Sequence, residues 1–109
     1  MAKMTIEVQV DSDSMGHGWV DDYAACTEYA DWLSEQLETW ADLRFPDGRK
    51  VEVIVTALNQ TGCNYLSVHS DEEDVDNERI AEEVKRQCNA LWDRFCAIVH
   101  DDFPHLVDF

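Results

Sequence analysis

The chain has 109 residues, of which 45% are hydrophobic, and 24 acidic against 8 basic side chains give it a formal net charge of −16 at pH 7. This length suits one hydrophobic core, so we predict a single acidic domain over residues 1–109. The charge argues against direct binding to DNA, RNA or anionic membranes, because phosphate groups repel such a surface. It favours basic proteins, and metal cations more weakly, as partners.

The first half of the chain predicts a strand followed by a long helix. Residues 5–10 alternate apolar and polar side chains, which is typical of a half-buried strand. After a loop rich in Ser, Gly and Asp, we expect a helix from about Asp21, a suitable N-cap residue, to about Asp42. Its apolar positions recur at helical steps: Tyr23, Cys26, Ala30, Leu33, Leu37 and Trp40.

The middle of the chain predicts a hairpin. A turn containing Pro46 and Gly48 precedes a strand at 50–58, and a second turn leads to a return strand at 65–69. The longest segment without charged residues, 53–70, contains the polar side chains of that turn and is not a membrane span. Because the N-terminus also lacks the apolar region of a signal peptide, we expect a cytoplasmic protein.

The last third of the chain predicts a second long helix, from about residue 74 to 102, which Pro104 ends. The order β-α-β-β-α predicts an α+β fold in two layers, with both helices on one face of a three-stranded antiparallel or mixed sheet. A short final strand at 106–109 would complete a ferredoxin-like pattern. The core positions expected on the second helix are Ile80, Val84, Cys88, Leu91, Phe95 and Ile98.

The first helix carries a row of carboxylates. From Met4 to Leu43 the chain has ten acidic residues and neither lysine nor arginine. Five of them follow steps of three and four, and on a helix they fall within a sector of about 80°, roughly opposite the apolar positions. Like-charge neighbours at these steps cost about 1–2 kcal/mol in total at low salt, which favours a functional reason for the row. We interpret it as a partner-binding surface formed by Glu28, Asp31, Glu35, Glu38 and Asp42.

Two further features of the sequence are candidates for the same partner-binding surface. Trp32 lies close to the acidic sector and is either an interface anchor or a partly buried side chain at the core edge. A second acidic segment precedes the second helix, where carboxylates also stabilise the positive end of the helix dipole. It is therefore either another partner-binding surface or a capping feature, and it contains Asp71, Glu72, Glu73, Asp74, Asp76 and Glu78.

Metal, cofactor and enzyme signals are weak. Asp11, Asp13 and Asp22 follow the spacing of a calcium loop, but Met15 replaces an oxygen ligand and a strand precedes the loop. The four cysteines show no zinc-ligand spacing, and we interpret them as small buried hydrophobic residues. The chain has no phosphate-binding glycine loop and no nucleophile elbow, so we expect neither an enzyme nor a cofactor.

In size, in its charge of −16 and in its two acidic segments the chain resembles the small acidic proteins of phages and mobile elements that inhibit host defence. Anti-CRISPR and anti-restriction DNA mimics are of this type. The resemblance is one of character over the whole chain, without a motif. It implies a stoichiometric inhibitor that blocks the nucleic-acid-binding surface of a basic protein or complex, such as a CRISPR surveillance complex.

Two other functions fit the same composition. An immunity protein or antitoxin that binds a basic toxin nuclease would use the same electrostatic attraction. A domain adapted to high salt would also be rich in aspartate and poor in lysine, as this chain is with fourteen Asp and three Lys. The salt-adapted domain would need molar salt to fold, which distinguishes it from the other two.

Overall fold

The computed structural model describes residues 3–12, 18–45, 50–58, 65–70 and 76–107. It confirms the α+β class, with three strands and two long helices. In chain order the elements are β1 (Lys3–Asp11), α1 (Asp22–Arg44), β2 (Lys50–Leu58), β3 (Tyr65–Ser70), α2 (Asn77–Asp102) and a short 3-10 helix (Pro104–Leu106).

The sheet has the order β2-β1-β3, with β1 parallel to β2 and antiparallel to β3. The predicted hairpin is therefore wrong, because β1 lies between the two strands that were expected to pair. The long crossover through α1 permits the parallel pairing of β1 with β2. In the central position Ile6 pairs with Val53 on one side and with Val68 on the other.

Both helices cover the same face of the sheet. Met4, Ile6 and Val8 of β1 are buried in one hydrophobic core with residues of α1 and α2. Helix α1 packs mainly against β2, and α2 mainly against β3. The intervening residues of β1 are only half-buried, so the opposite face of the sheet is the more accessible one.

Helix α1 begins where its N-cap residue predicts. A carboxylate oxygen of Asp21 accepts hydrogen bonds from the backbone N–H groups of Tyr23 and Ala24, both at 3.0 Å. Tyr23, expected in the core, is instead 43% exposed, and Tyr29, which lies nearer the centre of the buried face, is buried. The buried side chains of α1 are Ala25, Cys26, Tyr29, Ala30, Leu33, Leu37 and Ala41.

Helix α2 begins at Asn77, with Asp76 as its N-cap, and buries one side of its length. Of the expected core positions Cys88 and Ile98 are only half-buried, and Val99 is buried next to Ile98. Its central core residue is Phe95, whose ring contacts those of Trp19, Tyr29, Trp32, Trp92 and Phe103.

The C-terminal segment packs across the core without joining the sheet as far as residue 107. The expected strand is replaced by the 3-10 helix, whose Leu106 is buried, and by an isolated antiparallel bridge between Trp19 and Val107. Pro104 favours the helical turn because its ring fixes φ. The ferredoxin-like completion is therefore not formed within the described residues, and residues 108–109 lie outside them.

Neither α1 nor α2 combines the length and the apolar composition that a transmembrane helix requires.

Candidate partner-binding surface

The acidic row on α1, here called the α1 stripe, consists of Glu28, Asp31, Glu35, Glu38 and Asp42. Glu28 is half-buried, and the other four side chains are exposed. The buried residues of α1 lie on the opposite side of the helix, against the sheet. The stripe therefore points away from the sheet and into solvent, as its spacing predicts.

The dimensions of the α1 stripe follow from helix geometry. From Glu28 to Asp42 there are fourteen residue steps, which correspond to about 21 Å at a rise of about 1.5 Å per residue. Cβ atoms of helical residues three or four positions apart lie about 5–6 Å from each other, whereas one strand of a DNA duplex presents a phosphate about every 3.4 Å of axis. The stripe is a sparser row of anions than DNA, but the helix holds it in one line.

No cation neutralises the outer part of the stripe in the described ranges. Within them, no Lys, Arg or His nitrogen lies within 4.0 Å of the carboxylates of Asp31, Glu35, Glu38 or Asp42. Only Glu28 has such a neighbour, the imidazole Nε2 of His105 at 3.8 Å. In the part of the chain that the structure describes, no cation offsets the mutual repulsion of the four outer carboxylates.

Arg44, the basic residue closest to the stripe in sequence, is engaged elsewhere. Its Nε and a terminal guanidinium nitrogen donate to the two carboxylate oxygens of Glu83 on α2, at 3.1 and 3.2 Å. The guanidinium also lies 5.0 Å from the centre of the Phe45 ring. This bidentate contact joins the end of α1 to α2. Among the described residues no Lys, Arg or His nitrogen lies within 4.0 Å of the Asp42 carboxylate.

Trp32 lies on the side of α1 that faces α2. Its ring centre is 5.4 Å from that of Phe95 and 6.3 Å from that of Tyr29. It is half-buried, so it covers the edge of the core beside the stripe and leaves part of its surface to solvent. Its use as an interface anchor stays a prediction.

The second acidic segment is described only in part, because Asp71, Glu72, Glu73 and Asp74 lie outside the described residues. Asp76 caps α2, with its carboxylate accepting a hydrogen bond from the Arg79 backbone N–H at 3.1 Å. Glu78 is exposed in the first helical turn. Capping and the helix dipole account for both of these residues.

Two of the three residues of the candidate calcium loop are described, and their environments differ. Asp11 is only 1% exposed, and Asp22 is exposed in the first turn of α1. Asp13 lies outside the described residues, so the complete set is not described. Elsewhere in the described ranges no three His, Cys, Asp or Glu side chains come together as a metal site.

Two of the cysteines behave as small hydrophobic residues. Cys26 is buried, and its thiol donates to the Val10 carbonyl oxygen at 3.6 Å. Burial raises the pKa of the Cys26 thiol, and it raises the pKa of the half-buried Cys88 thiol to about 11. The Cys26 and Cys88 thiols are therefore neutral at pH 7. Cys96 is exposed, contrary to the expectation that the cysteines are buried, and Cys63 lies outside the described residues.

A cleft of about 850 Å³ between α2 and the sheet was not predicted. Its walls come from β1, β3, α1 and α2, so residues far apart in sequence share it. No periodicity or motif could have identified it. Its described lining is Val8, Gln9, Val10, Asp11, Tyr29, Leu66, Ala81, Glu82, Lys85, Cys88, Asn89, Trp92 and Asp93.

Neutralising the centre of the α1 stripe should stabilise the fold in dilute buffer. Glu35→Gln together with Glu38→Gln relieves three like-charge pairs and should raise the free energy of unfolding by about 0.6–1.5 kcal/mol. Glutamine and glutamate have similar helix propensities, so the gain reports charge. Urea unfolding at about 10 mM and 1 M salt measures it, and screening should remove most of it at high salt. A loss of stability in dilute buffer would mean that these carboxylates make stabilising contacts.

The α1 stripe and the cleft are two separate surface features of the described residues. They share no residue. The stripe lies on α1, whereas the helical part of the cleft lining lies on α2, with Tyr29 as the one lining residue from α1. Comparison with protein families, with curated proteins and with solved structures finds no match for this chain.

Proposed function

We propose that this protein is a stoichiometric inhibitor that mimics the charge of a nucleic acid. The α1 stripe occupies the DNA- or RNA-binding surface of a host defence complex, such as a CRISPR surveillance complex, in the bacterial cytoplasm. The observation that carries the proposal is a row of four exposed carboxylates on one rigid helix, with no cation against them in the described residues.

The energetics support a partner with the opposite charge. The stripe lowers the stability of the isolated protein, because its carboxylates repel one another. A basic surface on the partner would attract these carboxylates and offset their mutual repulsion. Long-range attraction between the two surfaces would also raise the association rate. The partner's lysines and arginines, which evolved to meet phosphates, would meet a row of carboxylates that is more widely spaced than the phosphates of one DNA strand.

In this role the protein carries out no chemical step. It acts by occupancy, with neither a catalytic residue nor a cofactor, and it binds no nucleic acid itself. Trp32 would contact the partner beside the stripe, where an aromatic ring at the edge of a charged row can exclude water. The acidic segment at 71–78 would extend the same negative surface or only cap α2.

Competition with DNA tests the proposal. The immobilised protein captures its partner from lysate of bacteria that carry a CRISPR system, and the captured complex is identified by mass spectrometry. A DNA or RNA duplex should then displace the purified partner complex from this protein, because both ligands compete for the same basic surface. The affinity of the partner complex for this protein should also fall steeply as the salt concentration rises. A complex that stays bound in excess nucleic acid at physiological salt contradicts mimicry.

Capture of the partner and a folding measurement at two salt concentrations separate the alternatives. Capture of one basic nuclease, whose activity the protein blocks, would identify the partner as a toxin and this protein as an immunity protein. A protein that unfolds in dilute buffer and folds only in molar salt would be a salt-adapted domain. A cooperative thermal transition in dilute buffer counts against that last function.

A further inference from the structure

Strand β2 forms one edge of the sheet. It pairs with β1 along its full length, and among the described residues no strand lies on its other side. About half of its backbone N–H and C=O groups therefore point outward, away from β1. Such a row of backbone groups is a template for a further strand. This edge is separate from the α1 stripe, so what pairs with it does not depend on the proposed function.

Beyond Lys50 at its start, β2 lacks the sequence features that usually keep an edge strand from pairing. Natural edge strands are often short, bulged, or interrupted by proline or by charged residues. β2 has nine residues in an unbroken register with β1, and its last six contain neither proline nor charge. Its one acidic side chain, Glu52, is paired with Lys3 of β1 at 3.2 Å. The other edge strand, β3, has only six residues.

The β2 edge leaves apolar side chains partly uncovered on both faces of the sheet. Val51, Val53 and Val55 point towards the helices but are only half-buried, whereas the β1 residues that pair with them are buried. On the other face Ile54 is 38% exposed. A strand added beside β2 would therefore cover apolar surface on both faces.

This edge is complementary to a second copy of itself. In an antiparallel pair centred on Ile54, all nine residues of β2 lie opposite residues of the second copy. Val53 then lies opposite Val55 on the helix side, where both are half-buried. Glu52 lies opposite Thr56 on the other face. No two charges are opposite each other in this register, so the pairing carries no like-charge penalty of its own.

The electrostatics of the chain restrict where two copies can meet. At a net charge of −16, most faces of one copy repel those of another. Residues 53–70, which include most of β2 and all of β3, contain neither carboxylate, lysine nor arginine. The longer of the two edges, β2, is therefore the place where two copies can form an extended contact with little local repulsion.

We propose that two copies of this protein associate through their β2 edges and form one continuous six-stranded sheet, three strands from each copy. The two-fold axis passes beside Ile54, so the assembly closes as a dimer. Because the axis is perpendicular to the sheet, both copies place their helices on the same face. Helix α1 packs mainly against β2, so the two α1 stripes lie on one side of the dimer and repel each other. Salt screens that repulsion and strengthens the dimer.

Sedimentation velocity of the purified protein tests this proposal. The monomer has a mass of 12.6 kDa, and the fraction with twice that mass should rise with protein concentration. At one concentration it should also rise between about 10 mM and about 1 M salt. This salt dependence is opposite in sign to that of the mimic's partner complex, so failure of either proposal is recognised separately. A monomer up to about 1 mM protein in high salt overturns the dimer, even if another protein pairs with the edge.

A charge at the two-fold axis tests whether β2 is the interface. Ile54→Asp places two like charges directly opposite each other and should weaken association at least about tenfold. The control is His69→Asp, which adds one carboxylate at an exposed position of β3, on the other edge of the sheet, and should leave association nearly unchanged. Thermal unfolding shows whether both variants are folded. Equal effects of the two folded variants overturn the β2 interface.

Disulfide cross-linking locates the axis without adding charge. Directly opposite residues of an antiparallel pair have Cα atoms about 4.5–5.5 Å apart, which is within reach of a disulfide. In the dimer Ile54→Cys places the two introduced thiols opposite each other, so mild oxidation should link position 54 to position 54. Mass spectrometry of the digested dimer distinguishes this link from links through the native cysteines. His69→Cys should give no link between its own copies, and a link at 69 without one at 54 overturns the proposal.

Discussion

Replacing Phe95 with alanine should lower the free energy of unfolding by about 3–5 kcal/mol, the usual cost for a fully buried phenylalanine. Phe95 is 0% exposed, and its ring centre lies 5.0 Å from that of Tyr29 and 5.4 Å from those of Trp32 and Phe103. Tyr29 and Trp32 come from α1 and Phe103 from the segment after α2, so these rings cannot close the space without moving whole elements. A small domain has only about 5–15 kcal/mol in total, so a large part of the stability would be lost.

Urea unfolding followed by tryptophan fluorescence measures this loss. Leu43→Ala is the control, because Leu43 is 78% exposed and its removal should change stability by less than about 0.5 kcal/mol. A loss below about 1 kcal/mol for Phe95→Ala would mean that the aromatic cluster is loosely packed. Thermal shifts of the two variants provide a second comparison in the same buffer.

Reversing two charges at the centre of the α1 stripe should weaken partner binding by about tenfold to a hundredfold, or about 1.4–2.8 kcal/mol. Glu35→Lys with Glu38→Lys replaces two attractive contacts by two repulsive ones, and each exposed contact contributes about 0.2–1 kcal/mol. The folded state should tolerate the change, because both side chains are exposed and the new lysines stand next to Asp31 and Asp42. The measurement is the affinity of each variant for the captured defence complex.

The sheet offers a matched control for the charge itself. Glu7→Lys with Glu52→Lys changes the net charge by the same four units, but β1 and β2 present these residues on the face away from the helices. This control should keep most of the affinity, apart from a modest general effect of net charge. If both double variants lose affinity equally, the binding is a property of the overall charge and the α1 stripe is not the interface.

The order and type of the elements could be predicted from the sequence, because periodicity and capping are local properties. Asp21 caps α1 as expected, and α1 ends at Arg44, two residues beyond the prediction. The steps of three and four also determine the angle of the α1 stripe relative to the buried face. These features depend on residues within one or two turns of each other.

The pairing of the strands could not be predicted in this way. The turn predicted at residues 59–64 favours a hairpin locally, but β1 lies between β2 and β3, where its Met4, Ile6 and Val8 are buried at the centre of the sheet. Burial of a central strand outweighs the local preference of a turn. The cleft beneath α2 depends on the same strand order, and it has no signal in any single segment.

The sequence by itself determined that this protein carries a row of carboxylates on one side of a long helix. Only the tertiary structure decided that the row remains exposed. Arg44 could have folded back towards Asp42, but it forms a two-point contact with Glu83, which is 39 positions away in the chain. Long-range contacts of this kind depend on how the two helices pack on the sheet, and that packing is a property of the whole core.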